Sequence, residues 1–169
     1  THFEGFINLG AKFRYNREDH FYGVESKTRL KGSYMLLDEA SVTGTANIVM
    51  AAVLAEGVTT IYNAACEPYL QQLCNMLNSM GAKITGIGSN KLFIEGVEKL
   101  DGCEHRILPD RIETGTFLVA AAMAGGEVLC KATDFHSLEP VIEKLRAANA
   151  LVEVTDNSIY LDMRNRELK

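Results

Sequence analysis

A short polar run, Ser41-Val42-Thr43, precedes an apolar helical segment and carries the clearest potential for chemistry. Backbone N–H groups in the first turn of a helix have no partner within the helix, and the helix dipole makes that end partly positive. A helix start of this kind attracts phosphate. The Ser41 or Thr43 hydroxyl can equally cap its own helix. The run therefore predicts either a phosphate site or a cap.

A second polar run, Asp110, Arg111 and Glu113, precedes another predicted helix. Carboxylates near the start of a helix stabilise it, and Arg111 can pair with one of them. The same three side chains could instead face a substrate cleft. Both interpretations stay open at the level of the sequence.

The remaining metal-ligating or nucleophilic residue types form no recognisable motif. The cysteines match no CxxC pattern and are predicted to be free, buried thiols: Cys66, Cys74, Cys103 and Cys130. Three histidines fall in predicted turns or strand edges and are expected to be solvated: His20, His105 and His136. We therefore predict no metal site and no cofactor.

Composition narrows the class of protein. Apolar residues make up 47% and charged residues 23%, which indicates a globular chain with a buried core. The net charge of −5 argues against a nucleic-acid partner. No uninterrupted apolar stretch of about 18 residues occurs, and the first residues do not resemble a secretory signal. We expect a cytoplasmic protein without a membrane partner.

Three basic residues alternate along the chain. Lys27, Arg29 and Lys31 are spaced as on the solvated side of a strand.

An internal repeat organises the chain. The segment 51–57 (AAVLAEG) is matched by 120–126 (AAAMAGG), and 80–84 (MGAKI) is matched by 148–152 (ANALV). The offsets of 69 and 68 residues agree, so a unit of about 70 residues recurs, which suits a small α/β module.

Apolar spacing gives both units one order of elements, which is helix, strand, helix and strand pair. In the middle unit the helices start at Thr43 and at Pro68 and stop at Gly57 and Gly81, with strands at 59–62, 83–85 and 92–94. In the later unit the helices are 114–124 and 138–148, with strands at 127–131, 151–154 and 158–162. The chain begins within a unit, at a helix over residues 2–9, so we expect a segment upstream of Thr1.

The run from Ile107 to Phe117, ILPDRIETGTF, resembles the signature of the UDP-N-acetylglucosamine 1-carboxyvinyltransferase family. Segments 41–45, 54–57 and 94–100 continue the similarity. The resemblance implies an α/β (α+β) fold, the inside-out α/β barrel of enolpyruvyl transferases, built from repeated βαβαββ units and present here as a fragment. Residues 1–108 would be part of a first domain, and residues 109–169 one unit of a second.

The resemblance also implies a reaction, transfer of the enolpyruvyl group of phosphoenolpyruvate to the 3-hydroxyl of UDP-N-acetylglucosamine. Such chemistry needs an acid, a base, and cations for phosphate and carboxylate. By the resemblance, the cysteine loop and the catalytic carboxylate lie before Thr1 and beyond Lys169. We therefore expect no catalytic residue among the 169 and no activity from the fragment alone.

What the resemblance assigns to this chain is part of a nucleotide site. It implies substrate contacts at Thr1, His2, Glu39, Ala40, Ser41, Val42 and Thr43. Glu39 departs from a family lysine, Thr43 from a glycine, and Cys66 from an arginine. Two alternatives therefore stay open, a 3-phosphoshikimate enolpyruvyl transferase and a non-catalytic scaffold of the same fold.

Overall fold

The computed structural model describes all residues from 1 to 169, and the chain divides into two units, Thr1–Arg106 and Ile107–Lys169. The sequence predicted a boundary two residues further on, and the assignment of the units to two domains of a longer protein stays a prediction. Both units combine helices with strands, as the predicted α/β class requires. No helix has both the length and the apolar character needed to cross a bilayer.

The first unit has three helices and two sheets. Its helices are α1 (His2–Asn8), α2 (Val42–Ala52) and α3 (Pro68–Ser79). Its strands are β1 (Lys12–Asn16), β2 (Phe21–Glu25), β3 (Tyr34–Leu36), β4 (Val58–Tyr62), β5 (Lys83–Thr85) and β6 (Lys91–Glu95). β1 and β2 form an antiparallel hairpin, and the larger sheet has the order β3-β4-β6-β5. β3 runs parallel to β4, and the other neighbours are antiparallel.

The second unit repeats the later part of this order. It contains α4 (Arg111–Ala124), β7 (Glu127–Lys131), a 3₁₀ turn (His136–Leu138), α5 (Glu139–Ala147), β8 (Leu151–Thr155) and β9 (Ser158–Asp162). Its sheet order, β7-β9-β8, reproduces β4-β6-β5. β4 begins at Val58 and β7 at Glu127, 69 residues later. The repeat inferred from the sequence is therefore present in the structure.

In each unit the helices cover one face of the sheet and bury alternate strand residues. Ile61, Leu92 and Ile94 point inward in the first unit, and Ile159 and Leu161 in the second. Against them pack the apolar stripes of α2 and α3, or of α4 and α5, as period-3.6 spacing predicts.

The predicted bounds of three helices were wrong. α2 ends at Ala52 rather than Gly57, because the chain turns through residues 53–57, where Gly57 has a φ of +86°. α4 begins at Arg111 rather than Thr114, because Asp110 caps it. The helix predicted over 138–148 starts as the 3₁₀ turn at His136, and α5 ends at Ala147.

The segment Lys27–Lys31 is not a strand, which corrects the expectation of alternating strand residues, although Lys27, Arg29 and Lys31 are exposed as predicted. Lys31 makes one isolated bridge to Glu56, and the guanidinium of Arg29 points at carbonyl oxygens. Arg29 Nε donates to Leu54 O at 2.8 Å, and its Nη2 donates to Val97 O at 2.6 Å. Arg29 therefore ties the turn after α2 to the end of β6.

α1 lies against α2 at Gly5. A Cβ atom at this position would lie 2.3 Å from Ile48 Cγ1, so only a glycine permits the observed approach of the two helices. The approach places Thr1 and His2 next to the first turn of α2.

Candidate functional site

The candidate site is the first turn of α2. Ser41 is the N-cap residue, with extended backbone angles, and its Oγ accepts a hydrogen bond from Gly44 N at 3.2 Å. Ser41 O accepts from Thr45 N at 2.8 Å. These bonds use the N–H groups of the third and fourth residues and leave those of Val42 and Thr43 without a protein acceptor. The cap predicted as one alternative is therefore present, yet two donors remain at the helix start.

A buried threonine holds this turn in place. Thr45 is fully buried, and its Oγ1 donates to Ser41 O at 2.7 Å and accepts from Ala65 N at 3.1 Å. The first bond fixes the turn from within, and the second ties it to the loop before α3. The orientation of the free N–H groups is consequently set by the core rather than by a mobile loop.

α1 supplies His2 to the site, and Asn47 of α2 orients it. His2 Nδ1 lies 2.9 Å from Asn47 Nδ2, and His2 Nε2 lies 3.3 Å from Thr43 Oγ1. Asn47 Nδ2 also lies 3.0 Å from Thr43 O, a carbonyl oxygen that can only accept. This orients the amide so that it donates to His2 Nδ1, which leaves the ring proton on Nε2, directed at Thr43 Oγ1.

Glu39 brings a negative charge to the same place. Its exposed carboxylate accepts a hydrogen bond from Thr1 Oγ1 at 3.0 Å, and its carbonyl accepts from Ser41 N at 2.8 Å. Ala40, between them, is exposed. A carboxylate next to a helix start opposes the binding of an anion there.

The structure therefore brings the predicted residues of this set together. They form one cluster around the start of α2: Thr1, His2, Glu39, Ala40, Ser41, Val42 and Thr43. Sequence reasoning missed Asn47, which orients His2. The signal available was its position four residues after Thr43, on the same face of α2.

The second predicted set lies at the start of α4, in the second unit. Asp110 Oδ1 accepts from Ile112 N at 2.8 Å and from Glu113 N at 3.1 Å. Asp110 is thus the cap of α4, and Glu113 adds a second carboxylate to the first turn. Asp110 and Glu113 also line a groove of about 280 Å³ together with Thr114, Phe117 and Lys131. The cleft role of Asp110, Arg111 and Glu113 stays a prediction.

The four cysteines differ in their burial. All four cysteines are free, but only Cys74 is buried, Cys130 is half-buried, and Cys66 and Cys103 are exposed, which corrects the expectation of four buried thiols. Burial raises the pKa of Cys74 to about 11, so its thiol is unreactive at neutral pH.

The histidines are not all solvated in the predicted way. His20 is exposed in a turn, and His136 Nδ1 lies 3.2 Å from Glu139 Oε1. His105 is half-buried, and its Nε2 is buried without a hydrogen-bond partner. No group of three or more His, Cys, Asp or Glu side chains is placed to hold a metal ion.

A cluster that sequence reasoning did not find lies on β7 and β9. Tyr160 Oη donates to Glu127 Oε2 at 2.6 Å, and Arg164 pairs with Glu127 at 2.8 Å and with Asp162 at 2.9 Å. The hydrogen bond to Glu127 raises the pKa of Tyr160 to about 12, and the hydrogen bond from Arg164 lowers the pKa of Asp162 to about 2. Each carboxylate of the cluster is paired with Arg164, so we interpret the cluster as a structural network.

Comparison with solved structures defines the class of fold. The chain superposes on the enolpyruvyl transferase NikO from Streptomyces tendae with a TM-score of 0.85 at 18% identity, covering 98% of this chain and 42% of that one. It superposes on an EPSP synthase from Acinetobacter baumannii with a TM-score of 0.64 at 22% identity, covering 96% of this chain and 38% of that one. The fold is that of the enolpyruvyl transferases.

Sequence comparison gives the family. The family profile described as EPSP synthase (3-phosphoshikimate 1-carboxyvinyltransferase) matches residues 1–169, and the chain belongs to this family. It is 58% identical over 161 residues to the UDP-N-acetylglucosamine 1-carboxyvinyltransferase of Bacteroides thetaiotaomicron, covering 95% of this chain and 37% of that protein. It is 49% identical over 168 residues to the Vibrio campbellii protein of the same name, covering 99% and 39%. The resemblance identified from residues 107–117 is confirmed, and the chain spans well under half of these relatives' length.

Proposed function

We propose that the polypeptide containing these 169 residues transfers the enolpyruvyl group of phosphoenolpyruvate to the 3-hydroxyl of UDP-N-acetylglucosamine. The observation that carries the proposal is the identity of 58% and 49% to enzymes named for this reaction. This reaction is the first committed step of peptidoglycan synthesis. It takes place in the cytoplasm, and the peptidoglycan maintains cell shape. In this reaction the sugar hydroxyl adds to C2 of phosphoenolpyruvate as C3 is protonated, and loss of phosphate and of a C3 proton then restores the double bond.

The part assigned to this chain is binding of the nucleotide. The two N–H groups of Val42 and Thr43 would donate to the diphosphate, helped by the positive end of the α2 dipole. The cap group itself is neutral because Ser41 offers a hydroxyl, so the carboxylate of Glu39 is the one negative side chain described at this helix start. Thr1 and His2, held beside this turn by α1, would contact the uridine side of the ligand.

The start of α4 supports this choice by contrast. There the N–H group of Ile112, which corresponds to that of Thr43, and the N–H group of Glu113 already donate to the carboxylate of Asp110. An anionic ligand would have to displace that carboxylate and approach Glu113 as well, so α4 is unsuited to phosphate. The diphosphate is therefore assigned to α2.

The reaction is tested by measuring phosphate release from phosphoenolpyruvate by the longer polypeptide with two acceptors in parallel. We expect release with UDP-N-acetylglucosamine and none with 3-phosphoshikimate. Release with 3-phosphoshikimate alone would favour the alternative activity that the family description names. No release with either acceptor would favour the non-catalytic scaffold.

The site is tested by removing one N–H group without removing the helix. Proline is favoured at the first position of a helix, and the extended Ser41 backbone is compatible with a following proline. Val42→Pro should raise KM for UDP-N-acetylglucosamine about tenfold, since a hydrogen bond to a charged group contributes about 1.5–3 kcal/mol. Val42→Ala, which keeps the N–H, is the matched control. An unchanged KM in Val42→Pro would contradict the assignment.

A further inference from the structure

The first turn of α2 carries a network of side chains that the first turn of α4 lacks. Asn47 Nδ2 donates to Thr43 O at 3.0 Å and to His2 Nδ1 at 2.9 Å, so both hydrogens of its amide are used. His2 Nε2, which then carries the ring proton, lies 3.3 Å from Thr43 Oγ1. The hydrogen bonds of this Asn47 network therefore run in one direction, from the amide through the imidazole to the hydroxyl.

The Asn47 network decides where the hydroxyl hydrogen of Thr43 can go. A hydroxyl oxygen that accepts from an N–H group keeps its own O–H for another acceptor. The carboxylate of Glu39 accepts from Thr1 Oγ1 and not from Thr43. Because Thr43 is exposed, its O–H is available to donate to a bound ligand.

The repeat shows which part of the network the fold itself needs. With the offset of 69 residues between α2 and α4, Thr116 is the equivalent of Asn47, and Ile112 is the equivalent of Thr43. Thr116 Oγ1 donates to Ile112 O at 2.8 Å, as Asn47 donates to Thr43 O. One donor is thus enough to hold this turn. The second N–H of the asparagine, the His2 ring and the Thr43 hydroxyl are additions found at α2.

Close packing of α1 places His2 in reach of this turn. A Cβ atom at Gly44 would lie 2.8 Å from Thr1 Cγ2, so Thr1 packs directly on the first turn of α2. Gly5 admits Ile48 one turn further along α1. Two glycines in contact with the neighbouring helix therefore fix the position from which His2 reaches Asn47.

We propose that Asn47 is a positioning residue of the nucleotide site, which acts through His2 to orient the Thr43 hydroxyl as a donor to the diphosphate. The inference rests on the proposed function and deepens it. The residues predicted around α2 include no lysine or arginine, and Glu39 stands where the resemblance gives a lysine. A hydroxyl at Thr43, where the resemblance gives a glycine, adds a side-chain hydrogen bond to an anion that is otherwise held by backbone N–H groups.

The ring of His2 gives a direct readout of this positioning. In a long-range ¹H–¹⁵N correlation spectrum of the histidine-labelled longer polypeptide at alkaline pH, we expect a protonated Nε2 and an unprotonated Nδ1. Asn47→Thr keeps a donor to Thr43 O, as Thr116 does at α4, but removes the donor to Nδ1. Both tautomers of His2 should then be populated. An unchanged tautomer in Asn47→Thr would overturn the proposal.

Affinity shows whether this orientation serves the nucleotide. In isothermal titration with UDP-N-acetylglucosamine, Thr43→Val should weaken binding about fivefold and Asn47→Thr about threefold, whereas Thr43→Ser should keep most of the affinity. The double variant should bind no more weakly than Thr43→Val alone, because both substitutions act on the same donor. Additive losses, or unchanged affinity in both single variants, would contradict the proposed role.

Controls separate positioning from a general effect on the helix. Thr116→Val removes the equivalent bond at α4 and should leave the His2 tautomer and the affinity unchanged. Asn47→Ser provides the same test should Asn47→Thr fail to fold, as judged by circular dichroism. Phosphate release with UDP-N-acetylglucosamine, combined with unchanged affinities in the variants, would overturn only the role of Asn47. A longer polypeptide that neither binds this nucleotide nor releases phosphate would overturn the proposed function as well.

Discussion

α2 and α4 are equivalent helices of the repeated unit, yet the residues that cap their first turns differ. At α2 the Ser41 hydroxyl accepts only from the N–H of Gly44, whereas at α4 the Asp110 carboxylate accepts from the N–H groups of Ile112 and Glu113. The N–H of Thr43 therefore stays free where that of Ile112 is occupied. The repeat therefore preserves the fold while the cap residue differs. Under the proposed assignment, one residue type, serine or aspartate, would separate a binding position from a structural one.

The outer faces of the two sheets differ in the same way. In the first unit the face is apolar and aromatic, with Tyr34 of β3 and Phe93 of β6 exposed and a charge at either end of β6. In the second unit the corresponding face carries the network of Glu127, Tyr160, Asp162 and Arg164. A satisfied ionic network is well suited to water, whereas the apolar face gains from being covered. The two sheets thus share a backbone arrangement but differ in the polarity of their outer faces.

The largest loss of stability that we expect comes from a substitution at Gly96, directly after β6. Gly96 N donates to Gly57 O, and Met163 N donates to Gly126 O, so Gly96 and Met163 are equivalent positions. A Cβ atom at Gly96 would lie 1.7 Å from Ala55 O, whereas Met163 fits its unit with 1% exposure. Gly96→Ala should destabilise the first unit by about 3 kcal/mol.

Native-state hydrogen exchange of the β6 and β9 amides measures this loss unit by unit. Gly102→Ala is the control, since nothing lies within 4 Å of its Cβ position. Equal protection in Gly96→Ala and the unsubstituted chain would show that the close approach does not constrain the first unit.

A smaller effect distinguishes the two caps. Asp110→Ala should destabilise α4 by about 1–2 kcal/mol, and Ser41→Ala should destabilise α2 by about 0.5–1 kcal/mol. The difference follows from two cap hydrogen bonds with a full charge against one with a neutral oxygen. Hydrogen exchange in the first turns of both helices measures it, and Asp110→Asn isolates the contribution of the charge. A larger loss for Ser41→Ala would reverse the comparison.

The charge at Glu39 gives an effect of about 1 kcal/mol on binding. Glu39→Lys removes a carboxylate from the start of α2 and supplies a cation, so KM for UDP-N-acetylglucosamine should fall about fivefold. Glu39→Gln should give part of that gain. Steady-state kinetics of the longer polypeptide at low ionic strength measures both, and a rise in KM for Glu39→Lys would contradict the anion assignment.

The ionic network of the second unit makes the smallest contribution and one that depends on pH. Arg164 lowers the pKa of Asp162 from 3.8 to about 2. The resulting stabilisation is complete above the ordinary carboxyl pKa of about 4 and is lost as pH falls through about 2. In Arg164→Leu the midpoint of the Asp162 carboxyl, followed by NMR, should move up toward its ordinary value. An unchanged midpoint would exclude Arg164 as the cause.

Much of this fold could be predicted because the signals are local. The period-3.6 spacing of Leu70, Leu73 and Leu77 predicts α3, and the β-branched and aromatic run at 59–62 predicts β4. The end of α2 was misplaced, and the turn that follows it involves a distant contact. Arg29, more than 20 residues upstream, donates to the carbonyl oxygens of Leu54 and Ala55 in that turn. No local pattern contains that information.

The candidate site was predictable in composition but not in organisation. Ser41 and Thr43 were evident as polar residues before an apolar helix, while His2 was placed beside them only by resemblance. Its position depends on the contact of Gly5 with Ile48, and its ring orientation on Asn47. The apolar outer face likewise required the strand register, since Tyr34 and Phe93 are far apart in the sequence.

The most direct test of the account is the response of backbone amides to the nucleotide. Adding UDP-N-acetylglucosamine to the ¹⁵N-labelled polypeptide should shift the amide signals of Val42 and Thr43, while those of Ile112 and Glu113 at the start of α4 stay in place. Shifts at the α4 amides, or none at the α2 amides under saturating ligand, would contradict the claim that the neutral cap of α2 creates the phosphate site.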